Sequence, residues 1–178
     1  MNKPLELPAG HDDRIPYQKP QPWGMVPDMV VPDAVSDDER LWAPLGPGMW
    51  SRPLQLNVSG GFYVHLLKVK RSGLLQRHRH SGAVHAYVIR GRWHYLEHDW
   101  VAEQGSYIFE PPGETHTLVV PDDCTDMITL FTVNGALIYV DPQGNATGYD
   151  DVFARIERYR AHFESVGLGA DYVKRFMR

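Results

Sequence analysis

The sequence contains one cysteine, no excess of basic residues and no long apolar run, and each absence excludes a class of protein. Cys124 stands alone among 178 residues, which excludes an intrachain disulfide and a cysteine-rich zinc finger. A net charge of −4 provides no basic field for nucleic acid or for an anionic membrane. The chain has neither an 18-residue apolar run nor the apolar stretch of a signal peptide near its start. We therefore expect a cytoplasmic protein without nucleic-acid or membrane partners.

Proline is distributed unevenly along the chain. Ten of the 14 prolines fall within the first 53 residues. Because proline fixes φ and lacks a backbone N–H, this stretch is not expected to form regular helix or central strand. It also carries large apolar side chains, among them Trp23, Trp42 and Trp50, which a disordered tail would lack. We predict that residues 1–52 form a proline-rich N-terminal arm, packed on the body of the protein or on a partner subunit.

From residue 53 onward, short runs rich in valine, isoleucine, tyrosine and threonine are separated by turn residues, a pattern typical of β-strands. The runs cover residues 61–70, 84–90, 92–98, 106–110, 116–120, 126–133 and 136–140. Asn134-Gly135 lies between the last two runs and predicts a type I′ hairpin. We predict an all-β barrel or sandwich over residues 53–149.

The chain ends with a helical pattern. Apolar residues at 152, 156, 159, 163 and 166 form one stripe on a helix, which either packs on the barrel or contacts another subunit. Asp150 or Asp151 can cap its start, and Gly167 is expected to end it. We predict that residues 150–178 form a C-terminal helical segment.

Three histidines have the spacing of metal ligands. His78 and His80 are two residues apart, and side chains at this spacing share one face of a strand. His116 follows a loop that Pro111, Pro112 and Gly113 stiffen. Neutral imidazole binds divalent iron, zinc, copper and nickel, so the three residues are candidate metal ligands.

The spacing of glycine, proline and histidine resembles the two-part signature of the cupin superfamily over residues 54–141. The matching residues are Gly73, His78 and His80, followed by Gly105, Pro111, Gly113 and His116. The resemblance implies an all-β double-stranded β-helix, the cupin jelly-roll barrel, with a metal ion in its mouth.

The sequence departs from this family where cupins usually carry a glutamate ligand, three or four residues after the second histidine. Val84 and His85 occupy these positions. The site is therefore expected to consist of three histidines, and His85 is a possible fourth ligand, a neighbour of the site or simply a residue of the sheet face. Strand parity argues against His85, because Val84 takes the inward position.

A site of three neutral imidazoles leaves the charge of the ion uncompensated and coordination positions open. It suits an anionic, bidentate oxygen ligand together with O2, with Fe(II) as the first candidate cofactor. Glu110 is the candidate acid or base if it faces inward, although it could also turn to solvent at the rim. Trp93 and Tyr95 either bind an aromatic substrate or form plain barrel core, and His65 is interpreted as a core histidine.

Residues 78–100 and 111–120, together with the length of the chain, resemble the 2,4′-dihydroxyacetophenone dioxygenases, a family of small bacterial cupin enzymes. The resemblance implies non-haem iron on His78, His80 and His116. It also implies an aromatic hydroxyketone and O2 as substrates, 4-hydroxybenzoate and formate as products, and a homo-oligomer such as a dimer or tetramer.

Two other functions stay open. The same metal site could serve another cupin dioxygenase, one that cleaves a β-diketone or a flavonol. The domain could also be a non-enzymatic module that senses a metal or ligand. The sequence provides neither a basic helix nor room for a further domain, which disfavours a DNA-binding regulator.

Overall fold

The computed structural model describes residues 14–178, and the chain divides into two units, residues 1–30 and 31–178. Within the first unit, residues 14–30 contain turns and extended chain. The second unit is built from two six-stranded antiparallel sheets. Its strands are β1 (Ala43–Gly46), β2 (Met49–Asn57), β3 (Phe62–Val69), β4 (Gly73–His80), β5 (Val84–Arg90), β6 (Arg92–Tyr95), β7 (Val101–Glu103), β8 (Tyr107–Glu110), β9 (Thr115–Val120), β10 (Met127–Asn134), β11 (Leu137–Val140) and β12 (Ala146–Asp150).

The first sheet has the order β1-β2-β3-β10-β5-β8 and the second has the order β12-β11-β4-β9-β6-β7. From β3 onward the chain repeatedly leaves one sheet for the other, which is the path of a jelly roll. The predicted all-β cupin fold is confirmed.

The first sheet begins before the predicted boundary at residue 53. The predicted arm includes residues 43–52, but Ala43–Gly46 forms β1 and β2 begins at Met49. Prolines are tolerated here because β1, which contains Pro44, is the edge strand, and because Pro53 lies at a shift in the register between β2 and β3. The first 13 residues of the predicted arm lie outside the described residues.

The prediction of a hairpin at Asn134-Gly135 is wrong. β10 ends at Asn134 in the first sheet, whereas β11 lies in the second sheet, and the two strands do not pair. Gly135 does adopt a positive φ of 72°, and its N–H donates to the carbonyl of Gly61. The Asn134 amide donates to the carbonyl of Ala83. The two turn residues therefore anchor a crossing between sheets.

The main core lies between the sheets and follows the strand alternation. In β5, for example, Val84, Ala86 and Val88 are buried and face inward, while Tyr87 is exposed. A smaller apolar cluster, which includes Trp42, Leu66 and Ile128, forms separately from this core.

The C-terminal helix α1 (Val152–Ser165) begins where the sequence predicts. The carboxylate of Asp151 accepts from the backbone N–H of Ala154, which satisfies one free donor of the first turn. A 3₁₀ segment, Ala170–Phe176, follows, and another, Glu39–Leu41, precedes β1. Among the described residues, none of the helices combines the length and apolarity needed to cross a bilayer.

Candidate functional site

His78, His80 and His116 meet inside the barrel on two paired strands of the second sheet. His78 and His80 are the inward residues at the end of β4, and His116 of β9 pairs directly with His78 in the strand register. The Nε2 atom of His80 lies 2.9 Å from that of His78 and 3.3 Å from that of His116. All three side chains are buried. We refer to these residues as the histidine triad.

The triad has the chemistry of a metal site. Burial lowers the pKa of His78 to about 3, that of His80 to about 4 and that of His116 to about 2, with repulsion between the imidazoles adding to the effect at His78 and His116. The rings are therefore neutral at pH 7, the form that binds metal. Two nitrogens that each lie about 2.1 Å from one ion at a right angle are separated by about 3.0 Å, close to the distances found here. The triad thus fits a divalent transition metal.

Glu110 contributes a buried carboxyl group to the same site, from β8 of the first sheet. It pairs across the strands with Val84, the residue that occupies the usual glutamate position. Its Oε2 atom lies 3.3 Å from Nε2 of His80 and 3.7 Å from Nε2 of His116. A neighbouring strand therefore brings a carboxyl group next to the triad, whereas β5 provides none.

The environment of Glu110 favours its protonated form. Only 2% of the residue is exposed, and burial raises the pKa of its carboxyl group to about 7, with further help from the charge of Glu114. The Tyr95 hydroxyl donates to Oε1 at 2.9 Å and opposes part of this rise. Oε2 has no hydrogen-bond partner in the described part of the protein. Glu110 can therefore accept or release a proton near neutral pH.

The two aromatic residues predicted for β6 have different surroundings. Tyr95 stacks on His116 with a centroid distance of 3.6 Å and an angle of 8°, and it lines the pocket beside the triad. Trp93 is fully buried and donates from Nε1 to the hydroxyl of Thr129 at 3.1 Å. Of the two roles left open for Trp93, the structure supports barrel core, whereas a substrate-binding role for Tyr95 stays a prediction.

His85 does not belong to the site. Its Nδ1 lies 2.7 Å from the Tyr107 hydroxyl, and its ring contacts Phe109 on the outer face of the first sheet. Of the roles left open for His85, the structure therefore supports a residue of the outer sheet face. Val84 faces inward, and adjacent residues of a strand point to opposite faces.

A pair that sequence reasoning missed lies on the other side of His116. His98 Nε2 contacts Glu114 Oε1 at 2.7 Å, and Glu114 Oε2 lies 4.0 Å from Nδ1 of His116. Both partners are partly exposed, so the pair lies between solvent and Nδ1 of His116. The sequence did indicate that Glu114 could lie near His116, because the two residues are only two positions apart.

His78, His80 and Glu110 line one pocket. Apolar residues, among them Leu67, Leu118, Phe131 and Val133, make up half of its lining. Three polar residues that were not predicted as site residues, His65 of β3, Gln76 of β4 and Arg155 of α1, also line it. In the sequence, Arg155 lies beside the apolar stripe of the helix, and this position could have indicated that the charged side chain is buried. In the structure only 2% of the residue is exposed.

The comparisons with known proteins agree with this architecture. Residues 31–138 match the family model described as the ChrR Cupin-like domain. An RmlC-like cupin protein from Ralstonia eutropha JMP134 is 30% identical over 71% of this chain and 83% of its own, with a TM-score of 0.68. An acetylacetone dioxygenase from Acinetobacter johnsonii shares the fold at 15% identity, with a TM-score of 0.67 over 83% of this chain and 99% of its own. No curated protein matches the sequence. The matched region contains the triad and Glu110, and the chain belongs to the ChrR cupin-like domain family of cupins.

Proposed function

We propose that the protein is an iron-dependent dioxygenase that cleaves the bond between the carbonyl and hydroxymethyl carbons of an aryl hydroxyketone. With 2,4′-dihydroxyacetophenone and O2 the products would be 4-hydroxybenzoate and formate. The observation that carries the proposal is the carboxyl group of Glu110, buried with its Oε2 3.3 Å from Nε2 of His80. A hydroxyketone must lose a proton from its hydroxymethyl carbon before oxygen can attack there, and we assign Glu110 as the base that takes it.

The other residues of the pocket have separate roles in the proposed reaction. The triad would hold the ion, and Fe(II), when bound, supplies Lewis-acid polarisation of the substrate carbonyl and redox chemistry for O2. Tyr95 holds Oε1 of Glu110, which leaves Oε2 free to receive the proton. The apolar half of the pocket lining would limit water around the deprotonated substrate, and this would strengthen each electrostatic contact inside the pocket.

The experiment measures metal content and oxygen uptake on one sample. The protein is loaded with Fe(II) without air, the bound iron is quantified, and 2,4′-dihydroxyacetophenone and O2 are added. We expect one O2 consumed per substrate, with 4-hydroxybenzoate and formate in equal amounts. Stably bound iron without uptake would refute this reaction.

Two variants test the role of Glu110. Glu110→Gln keeps an acceptor for Tyr95 but removes the base, so kcat should fall at least about 100-fold while the iron content stays near that of the wild type. Glu103→Gln, which changes an exposed glutamate of β7, is the matched control and should leave kcat unchanged. An unchanged kcat in Glu110→Gln would refute the assignment of the base.

A second candidate function is a ligand-sensing module that regulates a protein partner. The observation that favours it is an exposed aromatic surface on the first sheet, where Tyr87, Tyr107 and Phe109 are 48%, 64% and 54% exposed. The same surface could instead pair copies of the chain, which is the dimer or tetramer that the sequence predicts. Sedimentation of the purified protein distinguishes these uses, since a monomer leaves the surface available to a partner.

A further inference from the structure

The pocket has a second polar region besides the triad, and it comes from the facing sheet. His65 is an inward residue of β3, while the triad belongs to β4 and β9 of the other sheet. Packed sheets lie about 10 Å apart, so groups on facing sheets can hold two ends of one small molecule. We propose that Nε2–H of His65 donates a hydrogen bond to a neutral oxygen on the substrate's ring, the 4-hydroxyl group of an aryl ketone. The inference rests on the proposed function.

The first step is the hydrogen-bond network behind His65. Nδ1 of His65 lies 2.9 Å from Oγ of Ser51. The same Oγ accepts from Nη1 of Arg155 at 3.2 Å and also contacts the hydroxyl of Tyr159. All four side chains are buried, so each hydrogen needs an acceptor within the protein.

Counting donors and acceptors assigns the tautomer of His65. Within the described network, the Tyr159 hydroxyl has Ser51 Oγ as its acceptor. Ser51 then accepts from Tyr159 and Arg155, and its own hydrogen is donated to Nδ1 of His65. The opposite direction would leave the Tyr159 hydrogen without an acceptor. Nδ1 of His65 is therefore an acceptor, and the ring hydrogen lies on Nε2.

The second step concerns charge, which decides the kind of oxygen that fits. Burial and the nearby Arg155 hold the pKa of His65 well below its usual range, so the ring stays neutral. Asp150 opposes the charge of Arg155, with its Oδ2 2.9 Å from Nε, and the same oxygen also pairs with Nη1 of Arg158. The His65 ring itself is an uncharged donor, and an uncharged donor suits a hydroxyl or carbonyl oxygen, whose burial costs less than that of a carboxylate.

The third step concerns shape. The ring of Phe131 stacks against His65 at a centroid distance of 5.8 Å and an angle of 24°. Phe131, Leu67 and Leu118 line the pocket to which His65 and two triad residues, His78 and His80, also contribute. An aromatic ring can therefore pack on these side chains with its 4-substituent directed to His65.

The test measures binding and not turnover. The protein is loaded with Zn(II), and calorimetry compares 4-hydroxyacetophenone with 4-methylacetophenone and 4-acetylbenzoate. We expect the hydroxyl ligand to bind about three- to tenfold more tightly than the methyl ligand, the range for one neutral hydrogen bond. Equal affinity of these two ligands, or tightest binding of the carboxylate, would overturn the inference.

Variants at two positions assign the preference to His65. His65→Leu should lose the preference for the hydroxyl ligand, and His65→Gln, which still provides an N–H donor, should retain part of it. Phe131→Leu is the matched control and should weaken both ligands equally. Long-range ¹H–¹⁵N NMR of the wild type should show hydrogen on Nε2 of His65. Hydrogen on Nδ1 would contradict the network.

The binding test and the oxygen-uptake test can fail separately. A preference for the 4-hydroxyl group that depends on His65, in a protein without oxygen uptake, would refute the proposed reaction and support the role of His65. Turnover of the hydroxyketone without this preference would support the reaction and refute the role of His65.

Discussion

Replacement of Glu110 by glutamine should stabilise the metal-free protein at alkaline pH. A carboxyl group whose pKa is raised on folding binds its proton more tightly in the folded state. Its effect on stability is absent below the unfolded pKa of 4.5. As the pH rises from 4.5 to about 7, the unfolded chain ionises while the folded chain stays protonated, and stability is lost. Above pH 7 the loss is complete.

The magnitude follows from the size of the pKa change. A rise from 4.5 to about 7, at about 1.36 kcal/mol per pH unit, corresponds to a loss of about 3 kcal/mol. Glutamine carries no charge but keeps an oxygen for the Tyr95 hydroxyl. Metal-free Glu110→Gln should therefore match the wild type at pH 4.5 and exceed it by about 3 kcal/mol at pH 8. For a chain of this length, this is roughly 6–12 °C in Tm.

The assay is thermal and urea unfolding of metal-free wild type, Glu110→Gln and Glu103→Gln between pH 4.5 and pH 9. The curves for wild type and Glu110→Gln should converge at the acid end and separate between pH 5 and pH 7. Glu103→Gln should follow the wild type throughout, because Glu103 is exposed. A constant difference between wild type and Glu110→Gln at all pH values would refute the reasoning.

Three further substitutions test the site and the fold. His80→Ala should reduce bound metal from about one ion per chain to near zero by mass spectrometry, since Nε2 of His80 lies within 3.3 Å of both other triad nitrogens, and full metal content would contradict the site. Asp151→Ala should lower the free energy of unfolding by about 1 kcal/mol in urea through loss of the helix cap, with Asp151→Asn close to the wild type. Gly91→Ala should cost about 2 kcal/mol or more, because a Cβ at φ 72° would overlap the carbonyl oxygen of Asp126. Gly105→Ala, with φ 91° and open space around its Cβ, should cost only about 1 kcal/mol, and equal losses would show that the overlap is relieved.

The parts of the fold that local rules govern could be predicted from the sequence. Strand alternation correctly placed Val84 inward and gave His78 and His80 a common face. Helix-capping chemistry identified the start of α1. These rules depend on the backbone geometry of a few neighbouring residues, which the sequence itself determines.

The errors arose where the outcome depends on distant parts of the chain. Asn134-Gly135 has the conformation expected of a turn, but turn chemistry does not determine which sheet the next strand joins. Likewise, the hydrogen bonds that link His65 to Arg155 through Ser51 join β3 to a helix far along the chain. No local pattern contains such a contact.

The direct pairing of His78 with His116 has a consequence for folding. A slip of one residue between β4 and β9 would put inward and outward residues opposite each other and separate the imidazoles. The ion would therefore bind chains in the native register and ignore chains paired one residue out of place. Metal present during refolding should raise the yield of the native protein, because it would stabilise only the native register between β4 and β9.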